Sequence, residues 1–242
     1  GKIYIMKGII LAGGKGTRIY PLTLTIPKPL IEVRGKPLLN YSVQMFVNHG
    51  VDDIKIIIRP RDREAYEKWL KSYSSSFTLA KFSFEEEPEP MGTLGYIAHY
   101  LRDWIGEDDV FITNSDDIKN VDITAMAAFH KKTGAHATMA LGRVDKPEEY
   151  GAVTLNGDMV AEFLEKQENP PSNLVSIGVY LLSPPASEYM ETFRNGNTKF
   201  LMFEKDLWPV IAQSGKLAGF IYEGKFFDCG TPERLERAIR EL

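Results

Sequence analysis

Cysteine is almost missing from this chain. Cys229 stands alone among 242 residues, which rules out an internal disulfide and any zinc centre built on cysteines. Histidine is scarce as well, and none of His49, His99, His130 and His136 lies in a recognisable motif, so all four read as structural or surface residues. No apolar stretch approaches the roughly 20 residues a membrane helix needs, and the opening Gly1-Lys2-Ile3-Tyr4-Ile5 lacks the layout of a cleaved signal. The expectation is a soluble, cytoplasmic protein with no membrane partner. A cationic excess is missing too: 29 Lys and Arg against 33 Asp and Glu give a formal net charge of −4. Phosphate-backbone binding normally needs clustered positive charge, so no nucleic-acid partner is expected and basic residues should matter singly. There are no repeats, low-complexity tracts or long linkers.

What is present is enough apolar material for one large core, with 43% hydrophobic and 26% charged residues. Met6-Lys7-Gly8 reads as a natural chain start, which makes residues 1–5 an extension of either natural or artificial origin. Residues 3–11 are rich in β-branched side chains and run into Gly13-Gly14-Lys15-Gly16, a buried strand feeding a glycine loop. The pattern then alternates: helix at 37–47, strand at 53–58, helix at 62–73, strand at 77–84, helix at 93–104, strand at 109–113, helix at 122–132 and strand at 136–142. Beyond Tyr150 the texture changes to a hairpin around Asn156-Gly157-Asp158. It is followed by strands at 175–182, 216–223 and 226–228 and by helices at 204–213 and 232–242. The alternation predicts a single α/β domain over 1–242, a Rossmann-like mixed, mostly parallel sheet with helices on both faces. The change of texture divides it into a first part of about 6–145, which holds the glycine loop, and a second of about 146–242.

The most informative segment is Leu11-Ala12-Gly13-Gly14-Lys15-Gly16-Thr17-Arg18, followed by Pro27-Lys28-Pro29-Leu30. Glycines let backbone N–H groups close on a phosphate chain where a Cβ would obstruct. Arg18 and Lys28 can neutralise phosphate oxygens. A glycine pair alone would be no more than a tight turn. Thr17-Arg18 and a Pro-Lys-Pro ten residues on make that reading inadequate. A dinucleotide fingerprint would need glycine where Ile19 stands, and a P-loop would need Gly-Lys-Ser/Thr at its end. Neither pattern is met.

The segment resembles the signature of the sugar-1-phosphate nucleotidylyltransferases, a family with mannose-1-phosphate guanylyltransferases and glucose-1-phosphate uridylyl- and thymidylyltransferases among its members. The resemblance covers nearly the whole chain and implies the nucleotide-diphospho-sugar transferase fold. It implies that Gly13, Gly14, Gly16 and Thr17 surround the triphosphate, Arg18 holds its outer phosphates and Lys28 contacts the reacting α-phosphate. It also implies that Asp116, in Asn114-Ser115-Asp116, and Asp228, in Phe227-Asp228-Cys229-Gly230-Thr231-Pro232, hold Mg²⁺. Either aspartate alone would be a capping or solvated residue, and Asp117 beside Asp116 is expected to be structural. Mg²⁺ suits carboxylate and phosphate oxygens and offsets charge during in-line displacement.

By the same resemblance Glu165 accepts sugar hydroxyls, Lys166 binds the sugar phosphate, Tyr150-Gly151 approaches the sugar, and Ser176 stands where many relatives have asparagine. Gln167 replaces the family's proline after Glu165-Lys166. Leu11, Ala12 and Gly13, with Glu87, Gly92 and Thr93, should read the base. Glu87 stands where uridylyl- and thymidylyltransferases often have glutamine. A carboxylate accepts hydrogen bonds only, which suits the adjacent N1–H and N2–H donors of guanine better than the imide edge of uracil or thymine. GTP with mannose 1-phosphate is therefore the first expectation, UTP or dTTP with glucose 1-phosphate the alternative. Two rival classes are a glycosyltransferase using Ser115-Asp116-Asp117 for its metal and a non-catalytic nucleotide-sugar-binding regulatory subunit. The absence of appended hexapeptide repeats points to a catalytic domain alone. An apolar dimer face cannot be told from core, so homo-oligomer formation stays open.

Overall fold

The computed structural model describes residues 6–242, arranged as two compact units that interleave along the chain. The expected strand residues 3–5 lie outside the described residues. One unit holds the described residues up to Glu89 together with Thr113–Asp122 and Gly224–Leu242. The other holds Pro90–Ile112 and Ile123–Glu223. The chain is α/β with a mixed, Rossmann-like sheet.

In the first unit the strands Met6–Leu11, Val51–Ile58 and Lys81–Glu86 run parallel with Val51–Ile58 central. Their apolar side chains Ile9, Ile10, Ile54, Ile56 and Ile58 are fully buried, the continuous β-branched pattern expected of parallel strands covered on both faces. Two helices, Leu38–Val47 and Arg63–Tyr73, belong to this unit. Gly8 lets the first of them close on the strand, because a Cβ there would lie 2.8 Å from Val51 and 2.9 Å from the Phe46 ring. Trp69 Nε1 donates to Asn40 Oδ1 at 2.6 Å and ties the two helices together.

The strand expected at 77–84 starts later, at Lys81. Phe77 turns inward instead and packs with Trp69 and Phe82 at ring-centroid distances of 6.4 and 6.2 Å. Burying an aromatic ring outweighs four residues of strand pairing. A two-residue ladder joins Asp117–Ile118 to Phe227–Asp228, with Asp228 opposite Asp117. Beneath it Ile19, Val33, Leu38, Ile118, Phe227, Cys229 and Leu235 form one apolar cluster. The closing helix Pro232–Glu241 begins with Thr231 as N-cap and proline at its first position. Arg34 caps its far end, donating to the carbonyls of Ile239 at 2.6 Å and Arg240 at 3.1 Å.

The second unit carries a mixed sheet in which Val110–Ile112 neighbours Leu174–Leu182, followed by Ala137–Arg143, Leu217–Ile221, Met159–Glu165 and Gly151–Asn156. Leu217–Ile221 runs parallel to Ala137–Arg143, while the hairpin and the Leu174–Leu182 pairings are antiparallel. The hairpin turns at Gly157 with φ 63°, as its Asn-Gly-Asp sequence predicted. Two helices contain π-helical segments, Ile97–Leu101 ahead of Arg102–Ile105 and Phe203–Leu207 ahead of Trp208–Gln213. Stacked aromatics Tyr180, Phe203 and Trp208 fill the space beside the second, with centroids 4.7 to 5.6 Å apart. Helix Pro184–Arg194 was not foreseen. Its paired prolines fit the first helical turn, where no backbone N–H partner is needed. Among the described residues no helix is long and apolar enough to cross a membrane.

Candidate active site

The glycine loop leaves the strand at Leu11 and is pinned from below. Ala12 N donates to Ile57 O at 2.9 Å, the buried Tyr66 hydroxyl donates to Ala12 O at 3.1 Å, and Ser115 Oγ donates to Leu11 O at 2.6 Å. Of its three glycines, each has a different reason to lack a side chain. Gly16 adopts φ 63°, and a Cβ there would meet Thr23 at 2.9 Å and Lys28 Cβ at 3.2 Å; it is a folding requirement. At Gly13 a Cβ would lie 3.3 Å from Glu87 Oε2. At Gly14 nothing stands within 4 Å, so the protein's own packing does not demand glycine there. A ligand approaching the backbone would.

Thr23 Oγ1 donates to Gly16 O at 2.7 Å, which locks the turn between the loop and Lys28. Lys28 is 6% exposed, and its Nζ donates to Asp116 Oδ2 at 2.8 Å. Asp116 sits past the end of the strand that closes at Asn114, whose carbonyl accepts from Ser42 Oγ at 3.1 Å. Burial acts to raise the Asp116 pKa, but the Lys28 ammonium, helped by Lys119, overcomes it and holds the carboxyl below its ordinary range. Asp116 is therefore an anion whose side chain remains 46% accessible.

Asp117 points into the protein, paired with Lys119, which is itself buried and also donates to Asn114 O at 3.3 Å. Burial is the main reason its pKa is pushed up to about 7, with the Asp116 charge adding to it and Lys119 opposing. The structural role expected for Asp117 matches this placement. Asp228 is held on two sides: Gly230 N donates to Oδ1 at 2.6 Å and Arg234 Nη1 to Oδ2 at 2.5 Å. The Arg18 guanidinium, on the loop, lies next to Gly230, since an added Cβ there would be 3.0 Å from its Nη2. Cys229 between them is buried, and burial followed by the Asp117 charge pushes its thiol up to about 12, far from a reactive thiolate.

Glu87 is fixed by its backbone, N to Ile58 O at 2.9 Å, and its carboxylate reaches the edge of Gly13. The structure thus brings Leu11, Ala12, Gly13 and Glu87 together. It also gathers Gly16, Lys28 and Asp116, and sets Arg18 beside Gly230. Gly92 and Thr93 lie in the other unit and are engaged there. A Cβ on Gly92 would fall 2.2 Å from Leu201 O, and Thr93 Oγ1 donates to Glu204 Oε2 at 3.0 Å while accepting from Phe203 N at 2.9 Å.

Of the expected sugar residues, Gly151 and Glu165 lie on the hairpin of that unit, Tyr150 and Lys166 flank it, and Ser176 is on the strand Leu174–Leu182. Gly151 pairs with Glu165, whose Oε2 would be 3.1 Å from a Gly151 Cβ. Lys166 takes φ 41°, uncommon for a residue with a Cβ, with its amide on Tyr150 O at 3.1 Å and its ammonium 3.8 Å from Glu165 Oε1. Burial first and Glu204 second raise the Glu165 pKa. Ser176 Oγ pairs with the Tyr180 hydroxyl at 3.0 Å.

Sequence reasoning missed Lys119, Arg234 and Glu204. Lys119 had no signal beyond a charge next to an apolar residue. Arg234 had one: a cation in the first turn of a helix opposes the macrodipole and calls for a partner.

Among the described residues no three of His, Cys, Asp or Glu converge as a metal cage. A pair of carboxylates fits Mg²⁺ nonetheless, because that ion is usually held by one or two carboxylates with substrate phosphates and waters completing the shell.

Comparison with known proteins gives the family. Mannose-1-phosphate guanyltransferase of Schizosaccharomyces pombe is 35% identical over 236 residues, covering 94% of this chain and 62% of that protein. The enzyme of the same name from Debaryomyces hansenii is 33% identical over 233 residues with the same coverage. The chain thus spans less than two thirds of the length of these curated relatives. Among solved structures, a putative glucose-1-phosphate thymidylyltransferase from Bacillus anthracis superposes with a TM-score of 0.88 at 26% identity, covering 98% of this chain and 96% of that one. A UDP-glucose pyrophosphorylase complexed with UDP-glucose superposes with a TM-score of 0.80 at 25% identity, covering 98% and 97%. The family model described as nucleotidyl transferase matches residues 7–242, and the chain belongs to that family.

Proposed function

We propose that this chain transfers a nucleotidyl group from a nucleoside triphosphate to a hexose 1-phosphate. An oxygen of the sugar phosphate bonds to the α-phosphorus, the bond from that phosphorus to the bridging oxygen breaks, and pyrophosphate leaves. The observation that carries the reading is the Lys28–Asp116 pair at 2.8 Å, packed under a glycine loop whose middle glycine faces open space. A buried ammonium beside an accessible carboxylate suits a phosphate that arrives with a cation, and a glycosyltransferase has no use for such a cradle.

In this reading the amides of Gly13, Gly14, Gly16 and Thr17 receive the triphosphate, Arg18 takes its outer phosphates and Lys28 the α-phosphate. Asp116 and Asp228 are the residues that would hold Mg²⁺, which when bound supplies charge neutralisation on phosphate oxygens. Glu165 and Lys166 take the sugar hydroxyls and the sugar phosphate. No general base is required, because a sugar phosphate with a second pKa near ~6 is largely dianionic at neutral pH. Fixed cations and orientation then do most of the catalysis.

GTP and mannose 1-phosphate are the substrates favoured. The curated relatives cited above are mannose-1-phosphate guanyltransferases, and Glu87 Oε2 comes within reach of the Gly13 edge, where an acceptor can meet two guanine donors. Likeness to a putative thymidylyltransferase keeps dTTP and UTP with glucose 1-phosphate in the comparison. The test is pyrophosphate release from GTP, UTP, dTTP, CTP and ATP, each with a panel of sugar 1-phosphates and Mg²⁺. Release that needs both partners is expected. Binding of a nucleotide sugar with no release from any pair would overturn the enzyme reading in favour of a regulatory subunit.

A further inference from the structure

Lys119 is a buried cation that the proposed reaction does not use. Its side chain is 1% exposed, and an ammonium is held so far from water only where charged or strongly polar groups receive it. Two such groups do so here. Lys119 Nζ donates to Asn114 O at 3.3 Å and pairs with Asp117 Oδ1. These partners stand on either side of Ser115-Asp116: Asn114 closes its strand, and Asp117 opens the strand Asp117–Ile118. One ammonium therefore closes a ring around the aspartate assigned to the metal.

Both ends of the ring are fixed. Asn114 O also accepts from Thr113 Oγ1 at 2.9 Å and from Ser42 Oγ at 3.1 Å, and Ser115 Oγ donates to Leu11 O at 2.6 Å. At the other end Asp117 and Ile118 pair with Asp228 and Phe227 in the two-residue ladder. Within the ring Ser115 is fully buried and Asp117 is 8% exposed, while the Asp116 side chain stays 46% accessible and meets Lys28 Nζ at 2.8 Å. Two consecutive carboxylates thus follow one strand end, each of a type that can ligate Mg²⁺, and one of them is turned inward. Lys119 accounts for the difference, since a carboxylate is retained inside a protein by a paired, hydrogen-bonded cation.

We propose that Lys119 is a positioning residue for the metal site: its ammonium staples Asn114 O to Asp117 and so presents Asp116, and not its neighbour, to the divalent cation. The proposal rests on the assignment of Asp116 to Mg²⁺. Outer partners that orient a ligating carboxylate contribute about 10-fold to 100-fold to metal affinity, so loss of the staple is measurable by metal binding alone.

The experiment uses Mn²⁺ as the probe, followed by water-proton relaxation, on the full chain with a GTP analogue carrying a methylene bridge between its α and β phosphorus atoms. Removing Lys119 alone would leave a buried carboxylate unpaired and destabilise the fold for that reason, so both partners are replaced together. In Asp117→Asn/Lys119→Met the two charges leave as a pair and the net charge is unchanged, so a weaker Mn²⁺ site reports orientation. Mn²⁺ affinity should fall about 10-fold. Affinity for the analogue without metal, measured by calorimetry in EDTA, should stay within about 2-fold, because Arg18, Lys28 and the loop amides are untouched. Asp117→Val/Lys119→Met, which exchanges the buried pair for apolar groups, should show the same split and serves if the first variant melts early. Parental Mn²⁺ affinity in these variants would overturn the staple. An equal loss of analogue affinity would also overturn it, by showing a general collapse of the loop rather than a misplaced Asp116. Mn²⁺ binding that survives in Asp116→Asn but not in the double variants would make Asp117 the ligand, overturning both the metal assignment and the staple.

Discussion

His130 provides a stability switch whose size follows from its surroundings. It lies on the inner side of the helix Ile123–Thr133, 5% exposed, with Nδ1 2.7 Å from Thr138 Oγ1. Burial, with a smaller contribution from His136, lowers its pKa from 6.5 to about 4. The unfolded chain therefore takes up a proton near pH 6.5 that the folded chain refuses until about pH 4. The contribution is complete above pH 6.5 and is lost as pH falls through that window, since the unfolded state binds more protons there. A depression of about 2.5 units corresponds to about 3.4 kcal/mol at 1.36 kcal/mol per unit, of which roughly 2.5 kcal/mol is gone by pH ~4.5. Carboxylates also titrate in that range, so the measurement is a difference: urea unfolding at pH 7.5 and 4.5, followed by tryptophan fluorescence, on the parent and on His130→Gln. The variant should be less stable at pH 7.5 and should lose about 2 to 3 kcal/mol less on acidification. Equal losses in the two proteins would refute the assignment of that proton uptake to His130.

Two glycines should behave oppositely. Gly14→Ala meets no atom within 4 Å and should leave the melting temperature unchanged while weakening triphosphate affinity, whereas Gly92→Ala would put its Cβ 2.2 Å from Leu201 O at φ 74° and should destabilise by more than ~2 kcal/mol in a denaturant titration. Asp116→Asn and Asp228→Asn should each lower Mg²⁺-dependent pyrophosphate release by ~10²-fold or more with circular dichroism unchanged, as expected when a charge that stabilises the transition state is removed. Near-parental release in both would dismiss the metal pair. Glu87→Gln, which replaces an acceptor-only group by one that also donates, should shift the triphosphate preference from GTP towards UTP or dTTP in the same release assay, and an unchanged profile would remove Glu87 from base reading.

Much of this was written along the chain. Runs of β-branched residues before Gly13 and in 53–58 pointed to buried strands, and the near-helical spacing of Leu38, Leu39, Tyr41, Met45 and Phe46 to the helix that follows. Lys28 and Asp116 are 88 positions apart, and only a motif resemblance suggested that they belong to one site. Local patterns failed where long-range packing prevailed: Phe77 left its expected strand for an aromatic cluster, and the helix Pro184–Arg194 was not anticipated at all.

By itself the sequence showed an anion-binding glycine loop with two placed cations, and its resemblance to a known family is what implied a triphosphate. Only the tertiary structure decided which glycine leaves room for a ligand and which is fixed by its neighbours, because that depends on atoms dozens of residues away. It also decided that Asp117 turns inward to Lys119 and that Arg234 faces Asp228. Electrostatic partnership is a property of distance and burial, and neither can be read from a local stretch of sequence.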